Sequence, residues 1–151
     1  MERGIREEDV TKKLLKWLID TGWEIISFDF PQSGTGYQLH PNNSTSKTEG
    51  VIIPDIVAYK NNIVLDFENK DRFVLRDVEK ISSLRQTDNY SQDWDRLLKD
   101  KPFNHIYYGI GLPYTSHNEK RVNGILNMVD FVVFITENDK FKVIDNVGDL
   151  F

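Results

Sequence analysis

The chain contains no cysteine, which excludes disulfides, thiolate zinc sites and cysteine nucleophiles together. That absence suits a reducing compartment, and a cytoplasmic location is expected. Histidine is scarce, with three in all, and none has a partner at metal-ligand spacing. Long apolar runs are also missing. None approaches the roughly 20 residues of a membrane span, and the opening stretch from Met1 to Asp9 is charged rather than signal-like. A soluble protein without a membrane partner is expected. Gly34 and Gly36 are not followed by a Lys-Ser/Thr pair, so there is no phosphate loop. No serine is placed on a nucleophile elbow. Positive charge is not in excess either: the net charge of −5 weighs against holding nucleic acid by bulk electrostatics alone. A divalent cation among acidic residues, or a local basic patch, would offset it.

What is present describes one ordinary domain. A chain of 151 residues can bury a single core, and nine Phe, six Tyr and three Trp supply large side chains for it. The segment from about Arg6 to Asp20 is a predicted helix, because Val10, Leu14, Trp17 and Leu18 recur at three- and four-residue spacing. Gly22 is placed to end it. Trp23 to Phe30 reads as a strand. Residues 31–50 are rich in Gly, Ser, Thr, Asn and Pro and read as a long loop. Two apolar runs follow, joined by Lys60-Asn61-Asn62, a credible two-residue hairpin turn. A mainly helical stretch runs from about Val74 to Leu98, with a break near Tyr90. His105 to Leu112 is a predicted strand, Ser116 to Met128 a predicted helix, and Asp130 to Thr136 with Lys140 to Ile144 a final strand pair. The pattern is that of a single α/β domain, a mixed sheet with helices packed on it.

The hairpin register carries the chemistry. With Asn61-Asn62 as the turn, Lys60 pairs with Ile63, and counting back puts Asp55 directly opposite Glu68. Opposed side chains have Cβ atoms about 4.5–5.5 Å apart, where like charges repel. Asp66, Glu68 and Lys70 alternate onto that same face. The other face carries Ile52, Pro54, Ile56, Ala58, Ile63, Leu65 and Phe67, an ordinary core surface. Folding gives no reason to oppose two carboxylates in apolar strands, whereas a cation between them does. Mg²⁺ prefers carboxylate oxygens with room for water, and it can polarise a phosphate and activate water. Lys70 would stabilise developing negative charge or orient the attacking water. The plainer alternative is a solvated face on which Lys70 makes a weak surface bridge.

Pro54-Asp55, twelve residues, then Glu68-Asn69-Lys70 resembles the signature of the PD-(D/E)xK nuclease superfamily. The surrounding order of elements also resembles that superfamily's αβββαβ core, so a restriction-endonuclease-like fold is expected. The resemblance covers the organisation of about residues 6–112. It implies that Asp55 and Glu68 are metal ligands, with the Asn69 backbone carbonyl as a third oxygen, and that Lys70 is the catalytic lysine. Some members also use a glutamate of the first helix, for which Glu7 or Glu8 is available. Gln86 and Tyr90 resemble the QxxxY element of RecB-like members and would act near the same centre.

A Mg²⁺-dependent endonuclease acting on DNA, restriction- or repair-type and tolerant of Mn²⁺, is therefore the expected function. Tyr37, Gln38, His40 and Lys47 are candidate nucleic-acid contacts from their place in the long loop. Cutting both strands would call for a homodimer, and the small size also allows a subunit of a larger restriction or repair complex. The competing expectation is a non-catalytic DNA- or protein-binding module, for which the acidic charge favours a protein partner.

Overall fold

The computed structural model describes residues 5–30, 35–45 and 49–151. Helix α1 (Glu7–Asp20) forms for the reason its spacing suggests: Val10, Leu14 and Leu18 fall on one stripe and are fully buried. Each such burial stabilises by roughly 1.5–3 kcal/mol. Glu7, Glu8 and Asp9 sit in the first turn, where carboxylates meet the positive end of the helix. Past the cap at Thr21, Gly22 takes φ +96°, a left-handed conformation that costs glycine no Cβ clash. The chain then enters β1 (Glu24–Phe28).

The hairpin of β2 (Ile56–Lys60) and β3 (Ile63–Asn69) closes on Asn61 and Asn62, with φ of 52° and 66°. Positive φ at both central residues is the type I′ turn that matches hairpin twist. The ladder keeps the derived register from Lys60 opposite Ile63 to Ile56 opposite Phe67. It stops one step short of Asp55 and Glu68. The Asp55 N–H donates instead to the Phe67 carbonyl at 3.1 Å, and the Asp55 carbonyl accepts from the Asp29 N–H at 2.9 Å. Pro54 has no N–H with which to extend the ladder.

Downstream lie α2 (Leu75–Arg85), α3 (Ser91–Leu97), β4 (His105–Pro113), α4 (Ser116–Asn123), a 3-10 turn at Leu126–Met128, β5 (Phe131–Ile135) and β6 (Phe141–Asp145). The break expected near Tyr90 is real and is held open by Asn42. Its amide donates to the Asp88 carbonyl at 3.1 Å, and its side-chain oxygen accepts from the Gln92 N–H at 2.9 Å. The helix expected as far as Met128 ends sooner, at Asn123, with Gly124 as its cap.

Among the described residues the strands form one six-stranded sheet in the order β1-β2-β3-β4-β5-β6. β3–β4 and β4–β5 are parallel, and the other neighbours are antiparallel. Parallel neighbours need crossovers, and α2–α3 and α4 provide them. One face of the sheet packs Ile56, Ala58, Leu65, Phe67 and Phe131 against α1. The other packs Val57, Val64, Ile110 and Phe134 against α2, α3 and the segment after α4. The molecule is thus a single mixed α/β domain with helices on both faces. Among the described residues no helix is long and apolar enough to cross a membrane.

Two expectations change. The hairpin face bearing Asp66 and Glu68 is not a free surface, because α2 covers it. Ile52 and Pro54 do not continue the Ile56–Ala58 face. Ile52 packs against the α2-side core and bridges Leu39, while Pro54 lines a cleft on that side. The irregular backbone at Asp55 is what turns them over.

Gly109 in β4 shows how tight the α1-side core is. The place a Cβ would occupy there is filled by the Phe131 ring, which meets Phe67 edge-on with centroids 4.8 Å apart. Gly109→Ala should destabilise the protein by about 1–3 kcal/mol through overpacking, read as a lower urea midpoint. An unchanged midpoint would mean that this contact is slack.

Candidate active site

The start of α1, the residue before β2, the end of β3 and the first turns of α2 converge at the open end of the hairpin. Asp55 and Glu68 come together there although the ladder has ended. The Asn69 N–H donates to Asp55 Oδ2 at 2.7 Å, which ties the Asp55 carboxyl to the strand that carries Glu68. Burial is the main force on both groups. It lifts them from the ordinary carboxyl values of 3.8 and 4.5 up to about 8. The Glu68 charge adds to the effect on Asp55, and those of Asp66, Asp77 and Glu7 add to the effect on Glu68. Lys70 pulls both the other way.

Asp66 lies deeper. It is 2% exposed, and its Oδ2 has no hydrogen-bond partner among the described residues. Burial, then the charge of Asp55, holds its carboxyl well above the usual range. An unpaired buried carboxylate is costly.

Lys70 leaves β3 with its N–H on the Gly111 carbonyl at 3.0 Å. Its Nζ stands 3.4 Å from Glu7 Oε1 and 3.7 Å from Asp77 Oδ2. Burial alone would favour the neutral amine. The charges of Glu7, Asp77 and Glu68 outweigh it, so the pKa rises and the lysine stays cationic. Asn69 between them is fully buried, its amide donating to Thr11 Oγ1 at 3.1 Å.

The glutamate of the first helix that reaches this centre is Glu7. Glu8 turns outward and pairs with Lys12 at 2.9 Å, because neighbouring helix positions point about a quarter-turn apart. Gln86 is exposed at the cap of α2, and Tyr90 precedes α3 with its hydroxyl donating to the Gly50 carbonyl at 2.6 Å. The helix break separates the two, so they share no helix face, and Tyr90 alone reaches the cleft described next.

A cleft of about 740 Å³ opens beside the acidic cluster. Asp66 and Glu68 lie on its floor, residues 50–54 form one wall, and α2 forms the other. The candidate loop contacts do not line it. Tyr37 is anchored by its N–H on Ser27 Oγ at 3.1 Å and packs on the core, while Gln38 is exposed. His40 bonds Asp93 Oδ2 through both its N–H, at 2.6 Å, and Nδ1, at 3.1 Å, so that side chain holds the loop to α3. Lys47 lies outside the described residues.

Among the described residues no group of three or more His, Cys, Asp or Glu side chains is disposed to hold a metal ion. The expected donor set asks for less: Asp55, Glu68 and a backbone carbonyl, with water completing the shell. Mg²⁺ accepts such hard, incomplete oxygen sets. Two adjacent half-buried carboxyls with a buried, orphaned third beside them fit a cation as their missing partner. Pattern reading overlooked Asp77 and left Glu7 undecided, since both enter from helices whose docking angle no local spacing reports.

Fold and site together define a mixed α/β domain with a buried acidic cluster and a held lysine at the open end of a hairpin. Comparison with known proteins takes the assignment no further: no family model, curated protein or solved structure matches the chain.

Proposed function

We propose that the chain is a Mg²⁺-dependent nuclease hydrolysing phosphodiester bonds in DNA, a member in organisation of the PD-(D/E)xK superfamily it resembles. The observation that carries the reading is the meeting of two half-buried carboxyls, Asp55 and Glu68, beside a lysine kept cationic by Glu7 and Asp77. Asp55, Glu68 and the Asn69 carbonyl would hold the cation. Bound there, it would supply charge stabilisation at the phosphate and a water of lowered pKa. Lys70 would hold negative charge as it develops on the phosphate, in a site where partial burial strengthens that interaction. Glu7 and Asp77 fix the position of the ammonium group, and the apolar packing around β3 limits water.

The competing binding-module reading draws on the net charge of −5, and it requires no metal. Incubation with supercoiled plasmid, linear duplex and a four-way junction separates the two. Cutting in Mg²⁺ or Mn²⁺ but not in EDTA, lost in Lys70→Ala, is the expected result. Failure to cut any of the three in either metal would count against the enzyme.

A further inference from the structure

The cleft over Asp66 and Glu68 has two unlike walls. On one side Ile52, Ile53 and Pro54 present apolar surface, and Ile53 is 38% exposed. On the other, Arg76 and Lys80 of α2 both line the cleft, and neither makes an ion pair with any described residue. They are one helical turn apart and share a face. Their positions rise about 6 Å along the axis, close to the separation of adjacent phosphates along one strand. Glu79 also lines this wall, one residue from Lys80 and three from Arg76, and it makes no ion pair with either.

We infer that the cleft binds a single-stranded segment of nucleic acid, with Arg76 and Lys80 on successive phosphates and the bases against Ile52, Ile53 and Pro54. The inference rests on the nuclease reading, because Glu68 is common to the cleft and to the proposed centre; the strand would run from one to the other. A nucleotide matches the two walls, having an apolar base face and a charged phosphate. The size points the same way. At about 740 Å³ the cleft falls within the roughly 300–1,000 Å³ of small-ligand pockets. That is room for one or two nucleotides, but not for a duplex whose major groove alone is about 12 Å wide. Two cations with no ion pair among the described residues, on a protein of net charge −5, also give a local attraction that the chain as a whole lacks.

The test is fluorescence anisotropy with a labelled oligothymidylate in EDTA, so that no cleavage is needed, over a series of salt concentrations. Wild type should bind the single strand in preference to a duplex of equal length. Arg76→Ala with Lys80→Ala should weaken binding roughly tenfold and flatten the slope of log affinity against log salt by about 1.4, two contacts at about 0.7 each. The control, Lys99→Ala with Lys120→Ala, removes two exposed cations that do not line the cleft and should bind as wild type does. All four side chains are exposed, and an unchanged thermal midpoint verifies each variant's fold. An unaltered affinity and slope in the Arg76/Lys80 variant would overturn the inference. So would equal binding of duplex, or no binding of the single strand at all. Binding through these residues by a protein that never cuts would keep this inference and remove the nuclease reading. Cutting that is indifferent to Arg76 and Lys80 would do the reverse.

Discussion

In EDTA, the stability of this protein should fall as pH rises from about 5 to about 9, and Mg²⁺ should reverse the fall. Asp55 and Glu68 titrate near 8 when folded, against ordinary values of 3.8 and 4.5. The folded state therefore binds more protons than the unfolded state throughout that interval. Stability is greatest near the lower values and is lost as pH climbs through the folded ones. Each pH unit crossed between the unfolded and folded values of one group removes about 1.4 kcal/mol, so the two together should lower Tm by roughly 10 °C or more. A cation at these carboxylates displaces their protons, so its stabilisation should be largest at the alkaline end. At about a hundred times its Kd it would restore about 2.7 kcal/mol. Thermal melts at several pH values, with EDTA or Mg²⁺, measure both effects. A Tm that is flat with pH, or indifferent to Mg²⁺ at alkaline pH, would mean that the carboxyls are neither strained nor a cation site.

The second large effect is on rate. Asp55→Ala, Glu68→Ala and Lys70→Ala should each reduce cleavage by at least about 10²–10³-fold, the range seen when a group stabilising developing charge is removed. The carboxylate variants should fold, since each removes one of two like charges held side by side. Lys70→Arg preserves charge but not the compact ammonium that Glu7 and Asp77 hold, and it should remain impaired. Neighbouring glutamates supply an internal contrast. Glu7→Gln weakens the hold on Lys70 and should slow the reaction, whereas Glu8→Gln disturbs only a surface pair with Lys12 and should not. Equal rates in Glu7→Gln and Glu8→Gln would dissociate the first helix from the centre. Full activity in all three alanine variants would remove the centre itself.

The hairpin was legible because its turn declares itself. Two consecutive asparagines at positive φ set the register, and the register points Asp55 toward Glu68. The last step was not legible. Whether the ladder survives past Ile56 depends on Pro54 and on the bond from Asp29, which lies just past the end of β1. The helix stripes of Val10, Leu14 and Leu18 and of Val78 and Ile81 were equally plain. What they covered was not. Alternation in β3 suggested one buried and one open face, but α2 closes over the second, and only then does Asp66 become a buried carboxyl without a partner. Gln86 and Tyr90 show the opposite failure. Their spacing suits a continuous helix, yet Asn42 reaches across from the long loop and holds the chain open between them. A contact so distant in sequence leaves no trace in a local pattern. Arg76 and Lys80 look like ordinary solvated charges until the cleft beside them is seen.

Calorimetric titration of Mg²⁺ into the wild-type protein, beside Asp55→Asn with Glu68→Gln, bears most directly on the paired carboxylates as a cation site. The expected result is a saturable binding event at mildly alkaline pH, accompanied by proton release, which the double variant lacks while retaining its fold. No heat of binding in the wild type, or an isotherm that the double substitution leaves unchanged, would contradict it.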